Sequence, residues 1–244
     1  MKEFARNYGI ILAPTIRSKM YVQMLRFAGV PINQAVILNG EEQKARHLKK
    51  CSFDFDWSSK RFVFDPDVSL IDVLEDMGAD VHVAPDPDVN SSKFIEFLSS
   101  IPGRDFIYSG KPGVLLDASV LSDAGKRFLH AHGGRAPRYS GSTAFYYSIL
   151  EEGLIGATVF WMNQGIDTGE IVAIVERPAR PSLDIDFIQD PLVRGEALLK
   201  ALSCLQNGEV PDRARTEQRV AYHVIHPVLK SCALRKAKYT SGNI

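Results

Sequence analysis

The residues of this chain best equipped for chemistry are two histidines and an aspartate. His130 and His132 stand two apart in residues 129–141, L-H-A-H-G-G-R-A-P-R-Y-S-G, and Asp167 stands in residues 163–169, N-Q-G-I-D-T-G. An imidazole titrates near neutrality and can take or give a proton there. A carboxylate beside it can fix its tautomer and relay a proton through water. If the histidines end a β-strand, both point to one side of the sheet. Gly133 and Gly134 then let the backbone turn sharply and come close to a ligand. Each feature has a plainer reading. The histidines can be satisfied, partly buried residues, and D-T-G can be only a turn, since Asp and Gly both favour turns. A His-x-His strand end can also bind zinc if a third ligand such as Asp167 joins it.

These side chains need a scaffold. Residues 8–13 form a short apolar run closed by Pro14, which predicts a buried first strand. Thr15 or Ser18 can cap a helix running through Tyr21, Met24, Leu25 and Ala28 to Gly29. A second strand at 36–38 leads through Asn39-Gly40 to a charged segment, 41–50, expected to be helical. Residues 51–66 are aromatic and irregular, with Phe53, Phe55, Trp57, Phe62 and Phe64. They read as a packed insertion with a short strand, or as a wall for a flat ligand. Helices are expected at 69–77, from Ser91 or Ser92 through Leu98, and at 118–121. Strands are expected at 81–84, at 105–108 and in the run that ends in the two histidines. Ser142 is the expected N-cap of a helix through Tyr147 and Leu150. Strands at 155–162 and 171–175 enclose the 163–169 loop, and a helix at 191–205 ends at Asn207-Gly208.

Strands alternating with helices indicate an α/β fold, Rossmann-like, with a mostly parallel sheet and helices on both faces. Ligands in such sheets bind at the carboxyl ends of the strands, where the histidines fall. The dinucleotide fingerprint is absent: P-T-I-R-S follows Ala13, not G-x-G-x-x-G. The expected organisation is a catalytic domain over 1–208 and a C-terminal extension over 209–244. That extension carries an apolar cluster at 222–229 and the basic Arg235, Lys236 and Lys238.

Composition narrows the function classes. The chain has 244 residues, 45% apolar and 24% charged, an ordinary soluble profile. Its 29 basic and 29 acidic side chains cancel, which argues against a broad nucleic-acid-binding face. Cys51, Cys204 and Cys232 are widely spaced and form no C-x-x-C, so neither a disulfide framework nor a thiolate zinc site is suggested. No apolar run approaches the roughly 18 residues that span a bilayer. The N-terminus makes a poor signal peptide, and a cytoplasmic location is expected.

Taken together, H-x-H-G-G-R-A-P-R-Y-S-G at 130–141 and G-I-D-T-G-E-I-V at 165–172, separated by a helix ending E-E-G and a strand A-T-V-F-W-M, resemble a known pattern. It is that of the formyltransferases that use 10-formyltetrahydrofolate, among them glycinamide ribonucleotide transformylase, methionyl-tRNA formyltransferase and the sugar N-formyltransferases. The family pattern is roughly N-x-H-P-S-L-L-P-x-Y-R-G, a helix, a strand, then D-x-G-x-D-T-G. The resemblance extends more weakly over 8 to about 205, and V-I-H-P-V-L-K at 224–230 is similar to a tail segment of some sugar-modifying members.

The resemblance places His132 on the family's catalytic histidine and Asp167 on its catalytic aspartate. The family asparagine, which donates a hydrogen bond to the formyl oxygen, falls on His130, so an imidazole N–H would take that role. Proline and serine after the histidine are replaced by Gly133 and Gly134. Lys111, Pro112, Gly113, Val114 and Leu115 would form one folate-binding loop, and Met162, Gln164 and Gly165 the other. Arg135 and Arg138 are either solvated loop charges or holders of a carboxylate or phosphate of the acceptor.

The function implied is transfer of a formyl group from 10-formyltetrahydrofolate to the amine of a small molecule, with a nucleotide-linked amino sugar as first choice. No metal, nucleic acid or membrane partner is expected, and a homodimer is a candidate assembly. Methionyl-tRNA is disfavoured as acceptor because the chain has no room for a basic C-terminal domain of roughly 100 residues. The alternatives are a non-catalytic folate-binding relative, a formyltetrahydrofolate hydrolase and a transferase of another acyl group.

Overall fold

The computed structural model describes residues 4–209 and 218–240, with side chains to residue 237. The chain divides into two compact units, Met1–Phe128 and Leu129–Ile244.

The first unit is built on parallel strands. β1 (Tyr8–Leu12) pairs with β2 (Ile32–Ile37) on one side and β6 (Asp105–Ser109) on the other, and β5 (Asp80–Val83) pairs with β2, all in parallel. Every residue of β1 and β6 is buried, which accounts for the apolar runs at 10–12 and 106–108. α1 (Ile16–Ala28) starts where Thr15 accepts a hydrogen bond from the Ser18 N–H, and it ends at Gly29 in the left-handed region, as expected. α2 (Leu70–Asp76) packs against α1, and α3 (Ser92–Ser100) against α4 (Ala118–Asp123). The aromatic insertion is a hairpin of β3 (Cys51–Phe53) and β4 (Phe62–Phe64). Its Phe55, Trp57 and Phe62 rings close on Phe27 of α1 at 5.4–6.5 Å between centroids, so these rings are core and not a ligand wall.

The charged segment 41–50 is not helical. It lacks an apolar stripe, and its polar groups are spent on neighbours. Gln43 Oε1 accepts from the Ile16 N–H at 3.1 Å, Glu42 Oε1 from the Leu70 N–H at 2.9 Å, and Glu42 pairs with the buried Lys19 at 3.0 Å. The segment braces the starts of α1 and α2 instead of forming a helix of its own.

The second unit contains β7 (Arg127–His132), which starts two residues before the division, and β9 (Leu154–Trp161) and β10 (Glu170–Pro178). β9 runs antiparallel to both, with His130 opposite Phe160 and His132 opposite Thr158. The α/β class and the parallel strands agree with the expectation; the antiparallel pairings on β9 are a local departure from βαβ winding. α5 (Ala144–Glu152) packs on β9, and α6 (Asp190–Asn207) on β9 and β10 after a π-helical turn at Ile185–Gln189. Ser142 is not the N-cap of α5. That position is Thr143, at φ +50°, whose hydroxyl accepts from the Ile225 N–H at 2.8 Å. Residues 218–240 have structure as well: β11 (Ala221–Tyr222) pairs in parallel with β8 (Ser140–Gly141), and α7 (Pro227–Thr240) packs on α5. No helix among the described residues is long and apolar enough to cross a membrane.

Candidate active site

The second unit brings His132 and Asp167 together. His132 Nδ1 lies 3.4 Å from Asp167 Oδ1; His132 is buried and Asp167 half-buried, with side chains 8% and 11% exposed. The other ring nitrogen, Nε2, donates to the Tyr139 carbonyl at 2.9 Å. With the Nε2 proton committed there, Nδ1 is the nitrogen left to exchange a proton with the carboxylate. Burial pushes the His132 pKa below the ordinary imidazole value; the charge of Asp167 pulls it back up, and Arg194 adds to the downward push. A neutral imidazole at neutral pH is the form able to accept a proton.

The loop after β7 owes its path to packing. Arg194 Nη1 donates to the Ala131 carbonyl at 2.9 Å, and its Nε bonds both carboxylate oxygens of Asp190 at 2.8 and 2.9 Å. A Cβ on Gly133 would lie 2.4 Å from Arg194 and from Asp190. Gly134, at φ +151°, would put a Cβ 2.3 Å from the Tyr139 carbonyl oxygen and 2.9 Å from His132 Nε2. The glycine pair therefore makes room for an internal ion pair and for the His132–Tyr139 bond, where the sequence had suggested room for a ligand. Buried Thr158 fixes the next turn, donating to the Gly134 carbonyl at 2.8 Å and accepting from the Ala136 N–H at 2.9 Å.

Asp167 is held in a left-handed backbone conformation at φ +51°, which Asp tolerates better than most residues. Its loop braces itself. Asn163 Oδ1 accepts from the Gly165 N–H at 3.0 Å and from Thr168 Oγ1 at 2.8 Å, and its Nδ2 donates to the Thr168 carbonyl at 3.1 Å. Gln164 and Gly165 are exposed on this loop and Met162 is half-buried. Asp167 Oδ2 accepts from the Gly141 N–H at 2.6 Å.

His130 is half-buried, edge-on to Phe160 at 5.8 Å between centroids. Strand alternation keeps it on the same face of β7 as His132. In the first unit, Lys111 is half-buried, while Pro112, Gly113, Val114 and Leu115 are exposed in the loop after β6. The Asn90 side chain pins the end of that loop by donating to the Leu115 carbonyl at 2.9 Å.

Arg135 and Arg138 have partners of their own. Arg135 pairs with Glu152 at 3.2 Å and Glu176 at 2.9 Å, and Arg138 with Glu151 at 3.1 Å and Glu152 at 2.9 Å. They hold the loop to the end of α5, and their charges are balanced within the protein. Among the described residues, no group of three or more His, Cys, Asp or Glu is placed to hold a metal ion. Sequence reasoning missed Arg194, Asp190, Thr158, Glu151 and Tyr222, which except for Asp190 stand far along the chain from the residues they support. Only the i, i+4 spacing of Asp190 and Arg194 carried a local signal.

The family described as formyl transferase matches residues 103–197, a stretch that includes His130, His132 and Asp167. This stretch is thus similar to the formyl transferase family. The chain is also similar to the methionyl-tRNA formyltransferase of Syntrophus aciditrophicus, 26% identical over 153 residues, 62% of this chain and 48% of that protein. The chain thus spans about half the length of this curated relative. Among solved structures, the formyl transferase fold is shared with a sugar N-formyltransferase from Shewanella sp FDAARGOS_354. That match has a TM-score of 0.55 and 12% identity, and covers 94% of this chain and 87% of that one. Glycinamide ribonucleotide transformylase 1 from Symbiobacterium toebii matches with a TM-score of 0.52 and 16% identity, over 83% and 85% of the two chains.

Proposed function

We propose that this protein is an N-formyltransferase that moves a formyl group from 10-formyltetrahydrofolate to an amine on a small acceptor. The observation that carries the reading is the His132–Asp167 pair, 3.4 Å apart, inside a stretch similar to the formyl transferase family. The donor supplies a formyl carbon already activated on nitrogen. The acceptor amine forms the new N–C bond as the donor's C–N bond breaks. Asp167 takes the proton that the amine loses, directly or through water, and the leaving nitrogen takes one back. His132 Nδ1 faces the same carboxylate and shares that proton traffic. The His130 N–H is the donor for negative charge developing on the formyl oxygen, a contribution on the order of 3 kcal/mol for a well-placed group.

The residues present suit a reduced folate. Val114 and Leu115 are 41% and 58% exposed in the loop after β6, apolar side chains for a flat ring. Lys111, Pro112 and Gly113 continue that loop; in the second unit, Met162, Gln164 and Gly165 are the candidates that the family resemblance names. The acceptor we favour is a nucleotide-linked amino sugar. Its supports are the zero net charge of the chain and a fold shared with a sugar N-formyltransferase. We place catalysis in residues 1–208, with 209–244 as an extension, in a cytoplasmic protein.

A second reading, a folate-binding relative without turnover, has one observation in its favour: both ring nitrogens of His132 face protein oxygens. One experiment separates the two. Purified protein with 10-formyltetrahydrofolate is offered a panel of amines, including nucleotide-linked amino sugars and methionyl-tRNA, beside the H132N and D167N variants. Formyl transfer that falls by orders of magnitude in both variants, with melting temperatures near wild type, supports the transferase. Folate binding without formylation of any amine supports the binding protein, and formate release without acceptor would mark a hydrolase.

A further inference from the structure

We infer that residues 219–225 are a positioning strap for Asp167, and that Arg219 and Tyr222 are its working residues. The strap holds Asp167 from two directions. On one side, Arg219 Nη2 donates to the carbonyl of Ile166, the residue before Asp167, at 2.5 Å. On the other, β11 lies along Ser140–Gly141. The Ser140 N–H donates to the Val220 carbonyl at 3.1 Å, the Val220 N–H to the Pro137 carbonyl at 3.2 Å, and the Ser142 N–H to the Tyr222 carbonyl at 2.9 Å. Gly141 sits between these bonds, and its N–H is the donor to Asp167 Oδ2 at 2.6 Å. Its φ of +91° and the approach of the Tyr222 carbonyl, 2.2 Å from where a Cβ would stand, leave room for glycine alone.

Side chains lock the strap in place. The Tyr222 ring stacks on Tyr147 at 4.2 Å and on Tyr139 at 5.8 Å between centroids. Its hydroxyl donates to Glu151 Oε1 at 3.1 Å, while Tyr139 donates to Glu151 Oε2 at 2.8 Å. Tyr139 is also the residue whose carbonyl accepts from His132, so the stack reaches both members of the pair. At the far end, the Ile225 N–H bonds the hydroxyl of Thr143, which supports that residue at φ +50°, a costly conformation for a β-branched side chain. An oriented carboxylate relays protons only while its geometry is held, so loosening the strap slows proton transfer without removing a substrate contact.

The kinetic part of the test rests on the formyl-transfer reading; the spectroscopic part does not. The variants are Arg219→Ala, Tyr222→Ala and Tyr222→Phe in the full chain. The spectroscopic readout is the NMR titration of the His132 ring in histidine-labelled protein, assigned among the six histidines with the H132N variant. The groups facing that ring are Asp167, Arg194, Asp190 and the Tyr139 carbonyl. If Asp167 drifts away, His132 loses the charge that raises its pKa, and R219A and Y222A shift the titration downward. Loss of the Arg219 charge alone would shift it upward, so the sign separates positioning from simple electrostatics. In kinetics, kcat falls about tenfold with both KM values within about twofold, the signature of an interaction used in the transition state. Y222F keeps the ring stack and recovers most of the rate. An unchanged or upward His132 titration in R219A, whose side chain is exposed, overturns the strap even if Y222A fails to fold. Absence of turnover in the wild type refutes the transferase reading and leaves the titration to decide the strap.

Discussion

Asp167 is gripped by the Gly141 backbone: the N–H of a residue 26 positions earlier donates to its Oδ2 at 2.6 Å. That one bond joins the histidine loop to the D-T-G loop and sets the carboxylate against His132. It also removes one carboxylate oxygen from competition for protons, leaving Oδ1 to face the imidazole.

Stability should depend on pH through His132. Its folded pKa lies below its unfolded value, chiefly because of burial. The unfolded chain therefore binds the extra proton first as pH falls below about 6.5. Stability is full above that pH and declines below it as the buried ring is forced to charge. Chemical denaturation between pH 5 and 8 should show this decline, with a shallower slope in H132N. A wild-type slope unchanged by H132N would show that folding does not shift the titration of this ring.

Gly134→Ala should destabilise the protein by about 2 kcal/mol or more, because the backbone angle is strained for alanine and the Cβ meets the Tyr139 carbonyl. For a chain of this size that lowers Tm by roughly 5 °C or more. Gly113, at φ +78° with nothing within 4 Å of where a Cβ would stand, provides the contrast: Gly113→Ala should cost about 1 kcal/mol. Calorimetric melts of the two variants check the difference, and equal losses would mean the steric argument at Gly134 is wrong.

A reduced folate should bind with a Kd in the micromolar range, measured by titration calorimetry with 5-formyltetrahydrofolate. Leu115→Asp, at an exposed position, should weaken binding about tenfold with no change in Tm, since losing apolar contact costs on the order of 1.4 kcal/mol. Absence of binding at high micromolar concentration would remove the donor on which the proposed reaction depends.

The family resemblance aligns His130 with an asparagine. If its N–H serves the developing oxyanion, His130→Ala lowers turnover about a hundredfold and leaves folate affinity nearly unchanged, because that charge exists only in the transition state. His130→Asn restores the amide and retains or raises formyl transfer. Its pH–rate profile should lose one titration. A fully active Ala variant together with a dead Asn variant would make His130 a bystander.

Much of this protein was legible in its sequence. Short apolar runs closed by Pro or Gly give β1, β6 and the α/β order, because a strand buried on both faces is mostly apolar. Thr15 and Gly29 delimit α1 through local capping chemistry, which needs no distant partner. His132 and Asp167 stand out through residue type and spacing. Other features are set only by contacts distant in sequence. Segment 41–50 has helical composition, but its Glu42 and Gln43 are drawn off by Leu70, Lys19 and Ile16. Gly133 and Gly134 look like a ligand loop until Arg194 and Tyr139 are seen to fill the space beside them. Arg135 and Arg138 look like anion holders until α5 and β10 supply Glu151, Glu152 and Glu176. The tail gives no periodic signal for a two-residue strand, whose partner lies some 80 positions away across the fold. Residue type and local spacing thus settle which groups can do chemistry; only tertiary packing settles which of them are left to do it, because it decides where each buried donor and acceptor finds its partner.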